Sequence, residues 1–316
     1  MMADVKKIAT REGYSDTLVE LAGEIPNLFV LDADLAGATK TSKVKKAHPE
    51  KFFDCGIAEQ NMMSIAAGMA SCGNIVFASS FAMFASGRAF EQIRNSIAYP
   101  KLNVKIGATH GGISVGEDGA SHQCCEDIAL MRTVPNMTVI VPADDTEARL
   151  ATRAVAEMYG PCYLRFGRLA VPVVFGSDYK FEIGKGVVLS EGTDVTVIAN
   201  GLMVEKAIEA GKQLAAEGIS ARIVNMATVK PIDRELVLDS AARTGAIVTA
   251  EEHNIIGGLG SAVCEVVCEE NPVPVLRVGV NDTFGKSGPA VELLDMFGLS
   301  TANIVATAKK AVALKK

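Results

Sequence analysis

The feature that most constrains this chain is an alternation. Short apolar runs of strand character recur, each followed by a stretch of helical character. NLFVLDAD, NIVFASS, LNVKIGAT, NMTVIVPAD and PCYLRFGR read as strands in the first half. EQNMMSIAAGMASCG, FAMFASGRAFEQIRNSIAY and DTEARLATRAVAEMYG read as helices, the last capped by Asp144 or Asp145. Strands joined through helices require right-handed crossovers and therefore parallel pairing. VPVVFGSDYKFEIGKGVVLSEG interrupts the pattern with Gly, Pro and short alternating runs of the hairpin kind. The alternation then resumes with DVTVIAN, a helix from Met203, ISARIVNM, a helix from Asp233, GAIVTAEEH, a helix from Gly260, VPVLRVGV and two closing helices. The chain therefore reads as an α/β protein of two domains, each a mainly parallel sheet flanked by helices. The domains span 1–170 and 191–316, with a linker over 171–190.

Composition narrows the function. With 316 residues, 49% of them hydrophobic, the chain can build a large core. A net charge of −6 without a basic run argues against a nucleic-acid partner. No apolar stretch approaches the length of a membrane span, and MMADVKKIATREGY lacks the apolar core of a signal peptide. No membrane association is expected. Seven cysteines without a C-x-x-C pair read as reduced thiols in a cytoplasmic protein.

One segment gathers chemistry. GATHGGISVGEDGASHQ, from Gly107 to Gln123, holds His110, His122, Glu117, Asp118 and five glycines. It follows a strand and leads into SHQCCEDIALMR, read as a helix capped by Ser121. Loops after the carboxyl ends of parallel strands are where open α/β sheets bind ligands. Glycines there let backbone approach a ligand closely. A zinc site fits poorly, because a flexible loop separates His110 from His122, unlike the close ligand spacings of most zinc sites. No metal ligands are assigned to this chain.

Other residues are candidates beside plainer readings. Glu59 opens the small-residue helix, where any acid offsets the helix dipole. Its neighbours Ile57, Ala58, Met62 and Met63 are apolar, and such surroundings raise a carboxyl pKa, which suits proton transfer. Helical spacing puts Phe81 and Phe84 on one face, as core or as a platform for a flat ring. Arg11, Arg165 and Arg168 are surface charges or, at strand ends, phosphate ligands. GGLGSAV has Val263 where a dinucleotide motif needs its third glycine, and reads as tight strand-to-helix packing.

Together KIATREGY, FFDCGIAEQNM, SSFAMF, GISVGEDGASHQ, GGLGSAV and FGKSGPAVELLDMFGL resemble transketolase, in the family's order and over nearly the whole chain. The resemblance is to the C-terminal portion, a pyrimidine-binding domain of the thiamine diphosphate-binding fold followed by the transketolase C-terminal domain. Full transketolases begin with another domain, which binds the cofactor's diphosphate through Mg²⁺ with a GDG motif. Gly116-Glu117-Asp118-Gly119 is similar only in part, and Asn136 follows too soon to complete it.

The resemblance therefore implies the second subunit of a split transketolase, with a separate N-terminal subunit as partner and the Mg²⁺ ligands on that partner. The helix QNMMSIAAGMASCG has almost no polar face, so self-association of the chain is expected, and the resemblance implies a heterotetramer with the partner. The implied reaction moves a two-carbon ketol unit from a ketose phosphate to an aldose phosphate, in pentose phosphate metabolism. Glu59 matches the glutamate that contacts the cofactor's aminopyrimidine nitrogen, Phe84 the aromatic that stacks on that ring, and Phe81 its companion. His110, Asp118 and His122 match residues that hold the sugar and the transferred fragment. Glu59, His110 and His122 are thereby the catalytic candidates, and Arg11 and Arg168 match phosphate-binding arginines. Ala38 stands where many members carry Ser in the phosphate site, and Lys286 where a smaller residue is common.

A 1-deoxyxylulose-5-phosphate synthase would share FFDCGIAEQ, but RTVPNM and GPAVELLDMFGL fit transketolase better. The beta subunit of a 2-oxoacid dehydrogenase has this layout but lacks GEDGxxHQ. A non-catalytic paralogue would not need Glu59, Phe84 and the histidine pair intact.

Overall fold

The computed structural model describes residues 6–315. In chain order its strands are β1 (Lys7–Ile8), β2 (Leu28–Asp32), β3 (Phe52–Asp54), β4 (Ile75–Phe81), β5 (Val104–Thr109), β6 (Thr138–Ile140) and β7 (Cys162–Arg165). They continue with β8 (Val171–Pro172), β9 (Val187–Ser190), β10 (Val195–Ala199), β11 (Ala221–Asn225), β12 (Thr228–Lys230), β13 (Ile247–Asn254) and β14 (Val275–Val280). One sheet has the order β12-β6-β7-β5-β4-β2-β3 and a second the order β14-β13-β10-β11-β9. Pairing in the first is parallel except between β12 and β6. In the second it is parallel except between β9 and β11. Helices cover both faces, so β5 and β10 are buried at every residue, as their unbroken apolar runs require.

Several local expectations change. The wide segment 171–190 forms no hairpin of its own: β8 pairs with the distant β1, and β9 joins the edge of the second sheet. β1, with which β8 forms a separate two-stranded sheet, and β11, beside which β9 forms the sheet edge, offered backbone partners that a free hairpin would have had to make for itself. The second half also returns β12 to the edge of the first sheet, beside β6. The expected helix from Ser121 begins instead at Asp127 and ends at Thr133, without a side-chain cap. Gly119 lies at φ +76, and His122 and Gln123 both donate backbone N–H to its carbonyl, which closes a turn where a helix start was expected.

The segment after β4 is helical but wound wide, with i→i+5 turns over Met83–Arg88 and Ile93–Ala98. Such turns concentrate at functional sites. Asp144 does cap helix Asp145–Glu157, accepting from Glu147 N at 2.8 Å. Helix Glu59–Ser71 buries Met62, Met63, Ala66, Ala67 and Ala70. Its other side, with Gln60, Asn61, Ser64, Ile65 and Gly68, is exposed. GGLGSAV packs tightly as expected: a Cβ at Gly260 would meet Thr249 Oγ1 at 2.8 Å. Glu251 accepts from Leu259 N at 2.6 Å and Gly260 N at 2.8 Å, so that helix start already has its anion. All seven cysteines are free, and no described helix is long and apolar enough to cross a membrane.

Candidate active site

The candidate residues meet at the carboxyl edge of the first sheet. β4 lies between β2 and β5, and Phe81 is its last residue. His110 follows β5, Arg168 follows β7, Arg11 lies in the first turn after β1, and Glu59 starts the helix after β3. Thus five separate segments deliver side chains to one place, as the crossover topology dictates.

The centre is a set of rings. Phe81 stacks on the His110 imidazole with centroids 3.8 Å apart, and lies nearly parallel to Phe84 at 6.1 Å. His122 meets Phe84 edge-on at 5.2 Å. Phe81 is buried, whereas Phe84 and His122 are half-buried. Glu59 is 1% exposed, but its surroundings are not the purely apolar ones expected: its Oε2 accepts from Arg88 Nη1 at 2.8 Å. The Arg88 guanidinium also lies over the Phe84 ring, 4.7 Å from its centroid. Arg88 escaped the sequence reading, although its i+4 spacing from Phe84 is a helical-neighbour signal.

His110 is held against its backbone preference, at φ +58. Arg11 Nη1 lies 2.8 Å from its Nε2, and Thr109 Oγ1 lies 2.8 Å from its Nδ1. Burial first, then the charges of Arg11, Arg168, His122 and Lys40, lower its pKa to about 3. Arg11 can only donate, so Nε2 accepts and the ring proton sits on Nδ1, facing Thr109. Nitrogen-15 spectra should therefore show a neutral Nδ1–H imidazole from about pH 5 to 8. A ring that titrates near its ordinary value of about 6.5 would contradict this arrangement. The sign is fixed. With the folded pKa depressed, the unfolded chain binds the extra proton first, so this group's stabilisation is complete above the unfolded value and is lost as pH falls toward about 3.

The loop from Gly107 to Gln123 is braced from inside. Gly112 is at φ +86, and a Cβ there would overlap the Glu252 carboxyl. Glu252 Oε1 accepts from Ser114 N at 2.5 Å, and burial pushes this carboxyl up to about 7. Gly119 makes room for Ser287. At these positions the glycines admit the protein's own side chains, where the sequence suggested close approach of a ligand. Gln123 Nε2 donates to Lys286 O at 2.8 Å, so the FGKSG segment fastens the loop through its backbone while the Lys286 side chain is exposed.

Arg165 departs from its reading as a phosphate ligand. It is buried and pairs with Asp127 at 2.8 Å, and its Nη2 donates to Cys124 O and Glu252 O. It is a brace between the two domains. Arg168 does reach the loop, donating to Val115 O and to Glu117 Oε2, the latter at 2.8 Å. Arg11 also donates to Ala38 O at 3.1 Å, and its buried Nε has no partner among the described residues. Asp32 fixes the segment that presents Ala38, accepting from Thr39 Oγ1 at 2.7 Å and Thr41 Oγ1 at 2.8 Å. Asp118 is exposed and has none of the contacts that hold the ring cluster together.

Residues 6–173 match the family described as transketolase, pyrimidine binding domain, and residues 184–304 match transketolase, C-terminal domain. The chain belongs to the transketolase family. A protein described as a transketolase C-terminal section, from Methanocaldococcus jannaschii, is 54% identical over 297 residues, covering 93% of each chain. A 6-deoxy-6-sulfo-D-fructose transketolase subunit from Clostridium sp. is 42% identical over 298 residues, covering 94% of this chain and 92% of that one. A solved structure described as a split gene transketolase, inactive beta4 tetramer, superposes with a TM-score of 0.91 at 57% identity, covering 98% of this chain and 100% of that one. In this transketolase chain the ring cluster belongs to the pyrimidine binding domain, and Glu252 and FGKSG reach the Gly107–Gln123 loop from the C-terminal domain.

Proposed function

We propose that this chain is the C-terminal subunit of a split, thiamine diphosphate-dependent transketolase. A separate chain carries the diphosphate-binding domain and the Mg²⁺ ligands. The pair transfers a two-carbon ketol unit from a ketose phosphate to an aldose phosphate, in the cytoplasm. The observation that carries this reading is the meeting of Glu59, Phe84 and the two histidines at one sheet edge.

These residues fit the aminopyrimidine half of the cofactor. A buried carboxylate and an aromatic face lie side by side, bridged by one planar guanidinium, as a flat nitrogen-bearing ring would bridge them. When bound, thiamine diphosphate supplies the electron sink for breaking and making the carbon–carbon bond. Glu59 would hold a proton toward the aminopyrimidine nitrogen, Phe84 would provide the face for that ring, and Phe81 would back Phe84. His110 has both nitrogens engaged, so it positions Arg11 and lines the sugar's path. His122 engages Ser121 through Nδ1, and its Nε2 has no partner among the described residues. It is the histidine placed to exchange a proton with a sugar hydroxyl, with Asp118 beside the entrance. Arg11 and Arg168 take the phosphate, as cations at the ends of the strands that deliver the site. Ala38 adds no hydroxyl there, only its carbonyl to Arg11.

Association follows from the exposed face of helix Glu59–Ser71. Ile57 is 76% exposed just before it, and Ile65 is exposed on the face that also carries Ser64 and Gly68. The solved relative, a beta4 tetramer by its description, supports self-association. We therefore read a heterotetramer with two copies of each chain about a two-fold axis. Light scattering on the purified chain should show an oligomer at micromolar concentration; a monomer would contradict this.

The function itself is tested by product analysis. With the partner, thiamine diphosphate, Mg²⁺, a ketose phosphate and an aldose phosphate, the donor should emerge two carbons shorter and the acceptor two carbons longer. Absence of both products would overturn the reading.

A further inference from the structure

Arg88 has no catalytic or binding role assigned above, yet it touches both Glu59 and Phe84. Its side chain is 48% exposed, while the Glu59 carboxylate it pairs with is 2% exposed. One guanidinium thus does both things proposed for the cofactor's ring: it presents an N–H to Glu59 Oε2 at 2.8 Å and lies over the Phe84 face at 4.7 Å. We propose that Arg88 stands in for the aminopyrimidine in the cofactor-free subunit and must swing out before the ring can bind. This rests on the functional reading above.

Three observations support it. First, the guanidinium is planar and donates to Glu59 while it lies over the Phe84 ring, so it imitates an aminopyrimidine more closely than an ammonium could. Second, the exit is open: the outer part of Arg88 already meets water, and its only described side-chain partners are Glu59 and Phe84. Third, Arg88 ends the wide-turned segment Met83–Arg88, which also carries Phe84, so a change there moves both the ring and its cover. Arg88 is therefore a positioning residue. It keeps the buried carboxylate paired and the ring face covered until both chains and the cofactor come together.

The test uses the assembled pair and its isolated subunit. Thiamine diphosphate with Mg²⁺ is titrated calorimetrically into the pair containing wild type, Arg88→Met or Arg88→Lys. Arg88→Met should bind about fivefold to thirtyfold tighter, the range expected for removing an ion pair with one half-exposed partner and a cation–π contact from the competing state. Arg88→Lys should fall between, because it keeps the charge but loses the planar stack. Unchanged or weaker binding by Arg88→Met, with normal wild-type binding, overturns this proposal alone. A wild-type pair that takes up no thiamine diphosphate overturns the functional reading with it. In the isolated chain, thermal unfolding of Arg88→Met, Glu59→Gln and the double variant should be non-additive; strict additivity would show that the two groups are not paired.

Discussion

Glu59→Gln in the assembled enzyme is expected to lower ketol-transfer turnover by ~100- to 10,000-fold, the usual contribution of a general acid–base group. Gln keeps the shape of Glu and the start of helix Glu59–Ser71, but it cannot carry and release a proton. The substitution also removes the charge that Arg88 faces. That pair is half-open to water, so its loss should shift stability only slightly, by about 0–1 kcal/mol. Turnover and the thermal midpoint should therefore part company: a collapse in the first with little change in the second. The competing reading makes Glu59 only an acid that offsets the helix dipole. That reading predicts a small, parallel change in both, and a turnover loss under about threefold would establish it.

Much of the site was legible because its signals are local. The strand-to-helix alternation gives the parallel sheets, and parallel sheets put loops such as Gly107–Gln123 at their carboxyl edge. Helical spacing would put Phe81 and Phe84 on one face; Phe81 instead ends β4 and Phe84 lies in the wide turns after it, and the structure still keeps them in one ring cluster with His110 and His122. What escaped is what depends on distant partners. Glu59 and Arg88 are paired across 29 positions, and nothing in the segment around either residue announces the other. Arg165 reads as a strand-end cation until Asp127 is brought beneath it by the turn after Gly119, which itself replaced an expected helix. The glycines of the central loop suggest close approach of a ligand, and at Gly112 and Gly119 the protein's own side chains take that space. The group that approaches Gly112 is Glu252, carried in by β13 of the second domain, and no local pattern records that crossing. The return of β12 to the first sheet is hidden for the same reason.

The second large effect concerns the chain alone. On the proposed function its groups hold the aminopyrimidine half of thiamine diphosphate, and a partner chain holds the diphosphate half. Ketol transfer by the purified chain with thiamine diphosphate and Mg²⁺ should be absent, and mixing with the partner should restore it. Gain on mixing should be far larger than any single substitution removes, because each active site needs both chains. A single assay decides the matter: two-carbon transfer from a ketose phosphate to an aldose phosphate, measured for this chain alone, for the partner alone, and for the mixture. The account predicts turnover in the mixture only. Clear turnover by this chain alone, or none in the mixture with cofactor bound, would contradict it.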